Sequence, residues 1–227
     1  MKDGLGKFDK ACKEVKGSEQ LARILEIILA LGNILNRGTA RGQAKGFKLA
    51  SLTKLQDTKA SNKSTTLLHY LAKTVQNKSK ELLDFPTSLP SLEVATTISL
   101  EALSAEAMTL KAGLSKVRNE VDRSTGVPAC AGYAEGMGRF VEAQGPVVEN
   151  YVKRIGTAKA NAEELLEYFG EKPTGDVKAE EIFRTLKGFC EAFSKAVHDN
   201  KTRPPKSGKP GSKPVARGKP PSGRKKF

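Results

Sequence analysis

The chain contains no tryptophan, and aromatic residues make up only 6% of its 227 positions. Hydrophobic residues reach 38%, below the roughly 45% usual for a compact domain, which argues against an enzyme built around a deep apolar pocket. No window approaches the ~18 uninterrupted apolar residues that a membrane-spanning helix needs. Met1 to Ala11 has charges but no apolar stretch of the kind a secretory signal carries. Cysteine is scarce: Cys12, Cys130 and Cys190 are odd in number, far apart, and lack a CxxC or a nearby histidine pair. That excludes a disulfide framework and a zinc site, and suits buried thiols in a reducing, cytoplasmic compartment. Paired carboxylates in a pocket-forming context and a nucleophile beside a base are also missing. The expectation is a protein that is not an enzyme and uses no cofactor, metal or small-molecule substrate.

Acidic residues disappear altogether after Asp199. From 201 to 227 there are ten basic residues and no acid, so this stretch carries +10 of the net +14. They are Lys201, Arg203, Lys206, Lys209, Lys213, Arg217, Lys219, Arg224, Lys225 and Lys226. With six prolines and four glycines, the segment has too little apolar surface to offset an ordering cost of about 1–2 kcal/mol per residue. It reads as a disordered polycationic tail, an electrostatic arm for an acidic filament, nucleic acid or an anionic membrane.

What the first 200 residues do have is helical periodicity without strand-like alternation. Ser18 caps a helix running to about Asn36, whose apolar positions are numerous enough to predict burial around most of its circumference. A second helix is expected from Ser64 or Thr65 to about Leu83, before Pro86 and Pro90. Between Ser91 and about Asp122, Leu100, Leu103, Ala107, Leu110, Leu114, Val117 and Val121 step by 3 and 4 alternately. Val148, Tyr151, Ile155, Ala158, Ala162, Leu165 and Phe169 repeat the pattern after a start at Gly145-Pro146, with Gly170 as the terminating cap. Such seams belong to helices packed along their length. Residues 124–138, rich in Gly and Ala with Pro128, read as a loop or a frayed segment that interrupts the first long helix. A last helix runs from about Asp176 to Asn200. The fold expected is all-α: an elongated helical bundle with coiled-coil-like long helices, over residues 1–200.

Between the first two helices, glycines at 38, 42 and 46 alternate with Arg37, Arg41 and Lys45. A phosphate-binding loop would end in Gly-Lys-Ser/Thr after a strand, whereas here Gly46 precedes Phe47 and the segment follows a helix. The remaining readings are a plain turn and a glycine-notched platform on which another chain can approach closely, with cations beside it for acidic partners.

The run GNILNRGTARGQAKGFKLASLTKLQDTKASNKSTTLLHYL, Gly32 to Leu71, resembles the signature of the formin homology 2 domain, and Tyr168-Phe169-Gly170-Glu171 with Phe183, Phe189 and Phe193 is similar to that domain's end. The resemblance implies an all-helical, actin-binding domain that nucleates filaments and holds their barbed ends as a homodimeric ring. A longer parent protein would feed it profilin–actin, and its place would be the cytoskeleton. It implies that Gly32, Asn33, Asn36, Gly38, Gly42 and Phe47 form the post surface that receives a lasso from the other subunit. It also implies that Lys59 contacts actin, with Lys54 and Arg41 as further candidates. The family's lasso, linker and most of the knob have no counterpart in 1–200, so a partial domain is expected. The alternative is a basic helical scaffold that binds nucleic acid or anionic membrane through the tail. For His69 the residues favour a hydrogen-bonded structural role.

Overall fold

The computed structural model describes residues 2–59, 65–172 and 178–202, and within these the architecture is all-α, an elongated helical bundle without named strands. Helix α1 spans Lys2–Gly17, α2 Glu19–Leu35, α3 Lys54–Asp57 and α4 Leu67–Lys78. A short α5, Leu92–Ala95, precedes the two long helices α6, Leu100–Ser124, and α7, Ala131–Tyr168, and α8 runs Ala179–Thr202. At 1.5 Å per residue, the 38 residues of α7 extend about 57 Å. Helices α6 and α7 pair as an antiparallel hairpin whose far end forms an arm, while the other elements gather round its base.

The core at that base follows from apolar spacing. On α1, Leu5, Phe8, Ala11, Cys12 and Val15 are all buried. The opening helix was not anticipated from the sequence, although this helical spacing was there to be read. Phe8 meets Phe183 of α8 edge-on, with centroids 5.2 Å apart. Phe85, on the 3-10 turn Phe85–Ser88, packs on Phe189 and Phe193 of α8 at 5.8 and 5.1 Å. Two carboxylates anchor helix starts. Glu14 accepts from the Ser91 amide and hydroxyl at 2.9 and 3.0 Å, and buried Glu180 accepts from the Leu100 amide at 3.0 Å.

Several boundaries differ from the sequence expectation. Ser18 does cap α2, accepting from the Leu21 amide at 3.1 Å. Only Leu21, Ile24 and Ile28 of α2 are fully buried, however, and Ile34 and Leu35 are 68% and 58% exposed. The last turn of α2 runs out past the core, so burial is one-sided there. The second helix is shorter than expected, Leu67–Lys78, because Ser79 ends it before the prolines do. The helix expected from Ser91 is split, with α6 beginning afresh behind Ser99, which caps it through the Ala102 amide. The loop expected over 124–138 contracts to residues 125–130, and α7 passes straight through Pro146. Proline removes one helical hydrogen bond, but Pro146 and Glu142 are both exposed, so water can satisfy the orphaned carbonyl. Buried Val141 and Gly145 meanwhile hold the helix against α6. Gly170, at φ 70°, ends α7 as expected. The expected start at Asp176, and Arg203 through Lys226 of the tail, lie outside the described residues. Lys201 is in the last turn of α8.

Burial pushes the Cys12 and Cys190 thiols up to about 12, with Asp9 and Glu191 respectively adding to the shift. We therefore expect iodoacetamide at neutral pH to label half-buried Cys130 in the native protein and to spare the other two until unfolding, as read by mass spectrometry. Equal labelling of all three would contradict the packing of α1 and α8.

Candidate partner-binding surface

The segment between α2 and α3 is built from α2 outward. Asn33 uses its whole amide on the loop. Its Nδ2 donates to the Ala44 carbonyl, and its Oδ1 accepts from the Ala44 amide, both at 2.9 Å. The Asn36 carbonyl accepts from both the Thr39 amide, at 3.0 Å, and the Thr39 hydroxyl, at 2.7 Å. Gly38 takes φ 83°, a conformation that favours glycine. Gly42 lies so close to the preceding turn that a Cβ there would overlap the Asn36 carbonyl oxygen. Its amide donates to the Thr39 carbonyl at 3.0 Å. Asn33, Asn36, Gly38 and Gly42 thus shape the loop, while Gly32 is half-buried with open space over its Cα.

This closed loop stands on the surface. Asn36, Gly38 and Arg41 are exposed, next in sequence to the apolar pair Ile34 and Leu35. Helical spacing alone predicts burial around most of α2, so the part of Ile34 and Leu35 in the surface is visible only in the tertiary packing. Phe47 is half-buried against the core and anchors the exit of the loop. Lys48 pairs with Glu171 at 3.2 Å, tying that exit to the end of α7. Leu49, Leu52 and Leu55 then bury one edge of the 3-10 turn Leu49–Leu52 and of α3, as their three-residue spacing predicts.

Lys54 lies on α3 and Lys59 just beyond it, and both are exposed. An isolated antiparallel bridge joins Lys59 to Thr66, and the Leu67 amide donates to the Thr58 carbonyl at 2.8 Å. Lys59 is therefore held on a backbone clamp. No acidic side chain among the described residues pairs with Arg41, Lys54 or Lys59. Over 37–59 the six cations Arg37, Arg41, Lys45, Lys48, Lys54 and Lys59 face a single acid, Asp57.

His69 belongs to the scaffold. Its Nδ1 accepts from the Thr66 amide at 3.3 Å and lies 2.8 Å from the Thr66 hydroxyl, leaving Nε2–H to face Asp199 at 3.4 Å. Asn200 donates to the His69 carbonyl, which locks α4 to α8.

A hollow of about 490 Å³ opens between α6, α7 and the start of α8. Lys178–Glu101 at 2.6 Å and Lys159–Ser104 at 2.8 Å cross it. The Lys178 ammonium, bonding to Glu101 and attracting its charge, holds that carboxyl below the usual range. Lys16 does the same to Glu164 across α1 and α7. Since the folded value is depressed, both ties act above the ordinary carboxylate range and weaken as pH falls through it. Among the described residues no group of three His, Cys, Asp or Glu is placed to hold a metal ion.

Comparison with known proteins is consistent with this geometry. The profile of the Formin Homology 2 Domain matches residues 1–194. Formin-like protein 20 of Arabidopsis thaliana is 40% identical over 200 residues, and Formin-like protein 6 of Oryza sativa subsp. japonica is 38% identical over 201. Formin-like protein 21b of Arabidopsis thaliana is 36% identical over 201 residues. Each match covers 88% of this chain but only 12%, 15% and 50% of the respective relative. A single profile match over most of the chain, with relatives that agree along the same stretch, means that the chain belongs to the formin homology 2 family.

Proposed function

We propose that this chain binds actin, as part of the filament-nucleating and barbed-end-holding machinery of a formin at the cytoskeleton. The observation that carries the reading is the exposed shoulder at the end of α2. There Ile34 and Leu35 precede a rigid glycine loop, and Arg41, Lys54 and Lys59 in the following segment have no acidic partner among the described residues. Actin is acidic, and an exposed lysine on a fixed backbone can meet a carboxylate for a modest net gain once the rotamer freedom of both side chains is offset. Gly32, Asn33, Asn36, Gly38, Gly42 and Phe47 form or support the seat for a segment of a second formin homology 2 chain. Lys201 and the basic residues after it add non-specific attraction to the filament. Delivery of profilin–actin would fall to a longer polypeptide.

Cosedimentation with actin filaments at graded salt tests this. Binding should be present at low ionic strength and weaken as salt rises. Lys59→Ala should weaken it a few-fold, matching the roughly 0.2–1 kcal/mol of an exposed ion pair. Lys59→Ala combined with removal of residues 203–227 should weaken it further. No binding at low salt, or indifference to the combined change, would sink the proposal.

A further inference from the structure

The start of α4 is a capping box with an unusual member. In the common form a Ser or Thr at the N-cap faces the backbone amide three residues on, and a Glu or Gln there reaches back to the N-cap amide. Thr66 takes the first place and His69 the second. The His69 Nδ1 accepts from the Thr66 amide at 3.3 Å, where the common box uses an oxygen that stays an acceptor throughout the neutral range. An imidazole nitrogen accepts only while it is bare, and imidazole is the side chain whose charge ordinarily changes between about pH 5 and 8.

The surroundings fix which nitrogen is bare. Nε2 faces the Asp199 carboxylate at 3.4 Å, so it keeps the hydrogen and leaves Nδ1 as the acceptor. The ring is only 17% exposed. A second proton would not swing it out, because the contact with Asp199 would become an ion pair and hold it in place. Nδ1–H would then point at Thr66. The Thr66 hydroxyl, 2.8 Å away, can turn to accept it, since a hydroxyl both donates and accepts. The Thr66 amide has no such freedom, and two N–H groups would face each other. The elements packed against α4 are α3, α8 and the 3-10 turn Lys80–Leu82 at its far end. Toward the ring they bring Lys54 and Asp57 from α3, and Lys195, His198 and Lys201 from α8. Lys59 lies across the bridge and Lys73 one turn along α4. All of these are exposed, as are Lys80 and Glu81, so water screens them. Among the described residues Asp199 is the charged group in contact with the ring.

The amide at stake controls Lys59. Thr66 is the residue bridged to Lys59, and the next amide, Leu67, donates to the Thr58 carbonyl at 2.8 Å. The body of α4 is fastened independently. Leu68, Leu71 and Val75 are buried, Gln76 donates to the Val197 carbonyl at 3.1 Å, and Asn200 donates to the His69 carbonyl at 2.9 Å. Losing the bond at Thr66 therefore loosens the clamp and leaves the helix in place.

We propose that His69 is a positioning residue for Lys59, and that protonation of its ring under mild acid releases the clamp, so that the hold on an acidic partner weakens as pH falls. The direction is diagnostic. One more positive charge beside a basic surface would by itself strengthen that hold, whereas a loosened Lys59 weakens it. The effect on the partner rests on the assignment of Lys59 to the actin contact, while the clamp and its titration do not.

Nuclear magnetic resonance of the isotope-labelled full chain reads the clamp without any partner. Above the histidine range, Nε2 of His69 should carry the hydrogen and Nδ1 should be bare. Between about pH 8 and pH 5 the Thr66 and Leu67 amide signals should move with the same midpoint as the His69 ring. In His69→Gln, which supplies the common capping box, those amides should stay put. In His69→Ala they should be displaced at both ends of the range. Cosedimentation with actin filaments at about pH 7.5 and pH 6, at one low salt concentration, reads the consequence. Over that step the native chain should lose about two- to threefold more affinity than His69→Gln, within what one exposed ion pair supplies. The comparison cancels the effect of pH on actin and on His198. The excess should vanish when Lys59→Ala is added. A bare Nε2, Thr66 and Leu67 amides that ignore the His69 titration, equal losses in the native chain and His69→Gln, or an excess that survives Lys59→Ala would each overturn the proposal. Failure to bind actin at either pH would remove the assignment of Lys59 and the partner effect with it, and the amide titration would still decide the clamp.

Discussion

Phe85→Ala is expected to cost about 3–5 kcal/mol, a large share of the roughly 5–15 kcal/mol that holds a domain together. Phe85 is fully buried and touches both Phe189 and Phe193, so alanine forfeits the ring's burial and two aromatic contacts at once. Its turn is stiffened by Pro86 and by Thr87 and Ser88, whose hydroxyls donate to the carbonyls of Asp84 and Phe85. The backbone there cannot easily collapse into the vacancy, which places the cost at the upper end. Thermal or urea unfolding measures it, with an expected fall in melting temperature of about 6–20 °C. Phe85→Leu keeps most of the volume and should recover more than half of the loss. A cost for Phe85→Ala below about 1 kcal/mol would mean that the α4–α8 region is not packed as described.

The second large effect is local. Gly42→Ala should dismantle the Asn36–Ala44 loop while leaving global stability within about 1 kcal/mol, because the loop is exposed and contributes little to the core. The new Cβ would overlap the Asn36 carbonyl oxygen and sit 2.9 Å from its carbon. Both atoms are backbone, so no side-chain rotation relieves the clash and the chain itself must move. The amides of Thr39, Gly42 and Ala44 would then lose the partners they now have at the Asn36 carbonyl, the Thr39 carbonyl and Asn33 Oδ1. Hydrogen exchange should show those amides losing protection with the melting temperature nearly constant. If the loop is the seat proposed for a partner chain, Gly42→Ala should also reduce actin cosedimentation more than Lys59→Ala does. Retained protection at Thr39 and Ala44 would show that the close approach of Gly42 does not support the loop.

The residues that specify helix ends were legible where a single side chain decides the matter. Ser18 caps α2 and Gly170 closes α7 because a hydroxyl acceptor and a positive φ are local requirements. The leucines at 49, 52 and 55 likewise announced their buried edge. Pro146 misled because a proline's cost depends on who solvates the freed carbonyl, and that is a property of the folded surface. Helix α1 carries a legible apolar stripe, Leu5, Phe8, Cys12 and Val15, set among many charges, and the packing on α5, α7 and α8 shows what that stripe meets.

The candidate surface divides in the same way. The order of glycines and cations from Gly32 to Lys59 suggests a platform, and in the fold Arg41, Lys54 and Lys59 are exposed. That Asn33 and Gly42 are consumed within the loop, and that Ile34 and Leu35 emerge from the core, could not be read from periodicity. A hydrophobic residue at a helical position is buried only if another element arrives to cover it.

Composition and spacing alone therefore determined the helical class, the long paired seams and the basic loop, while the run from Gly32 to Leu71 carried the resemblance to the family. The packing decided which of several apolar stripes on each helix meets a neighbour. Spacing fixes the angle of a side chain about its own helix axis, whereas burial depends on where the other axes run.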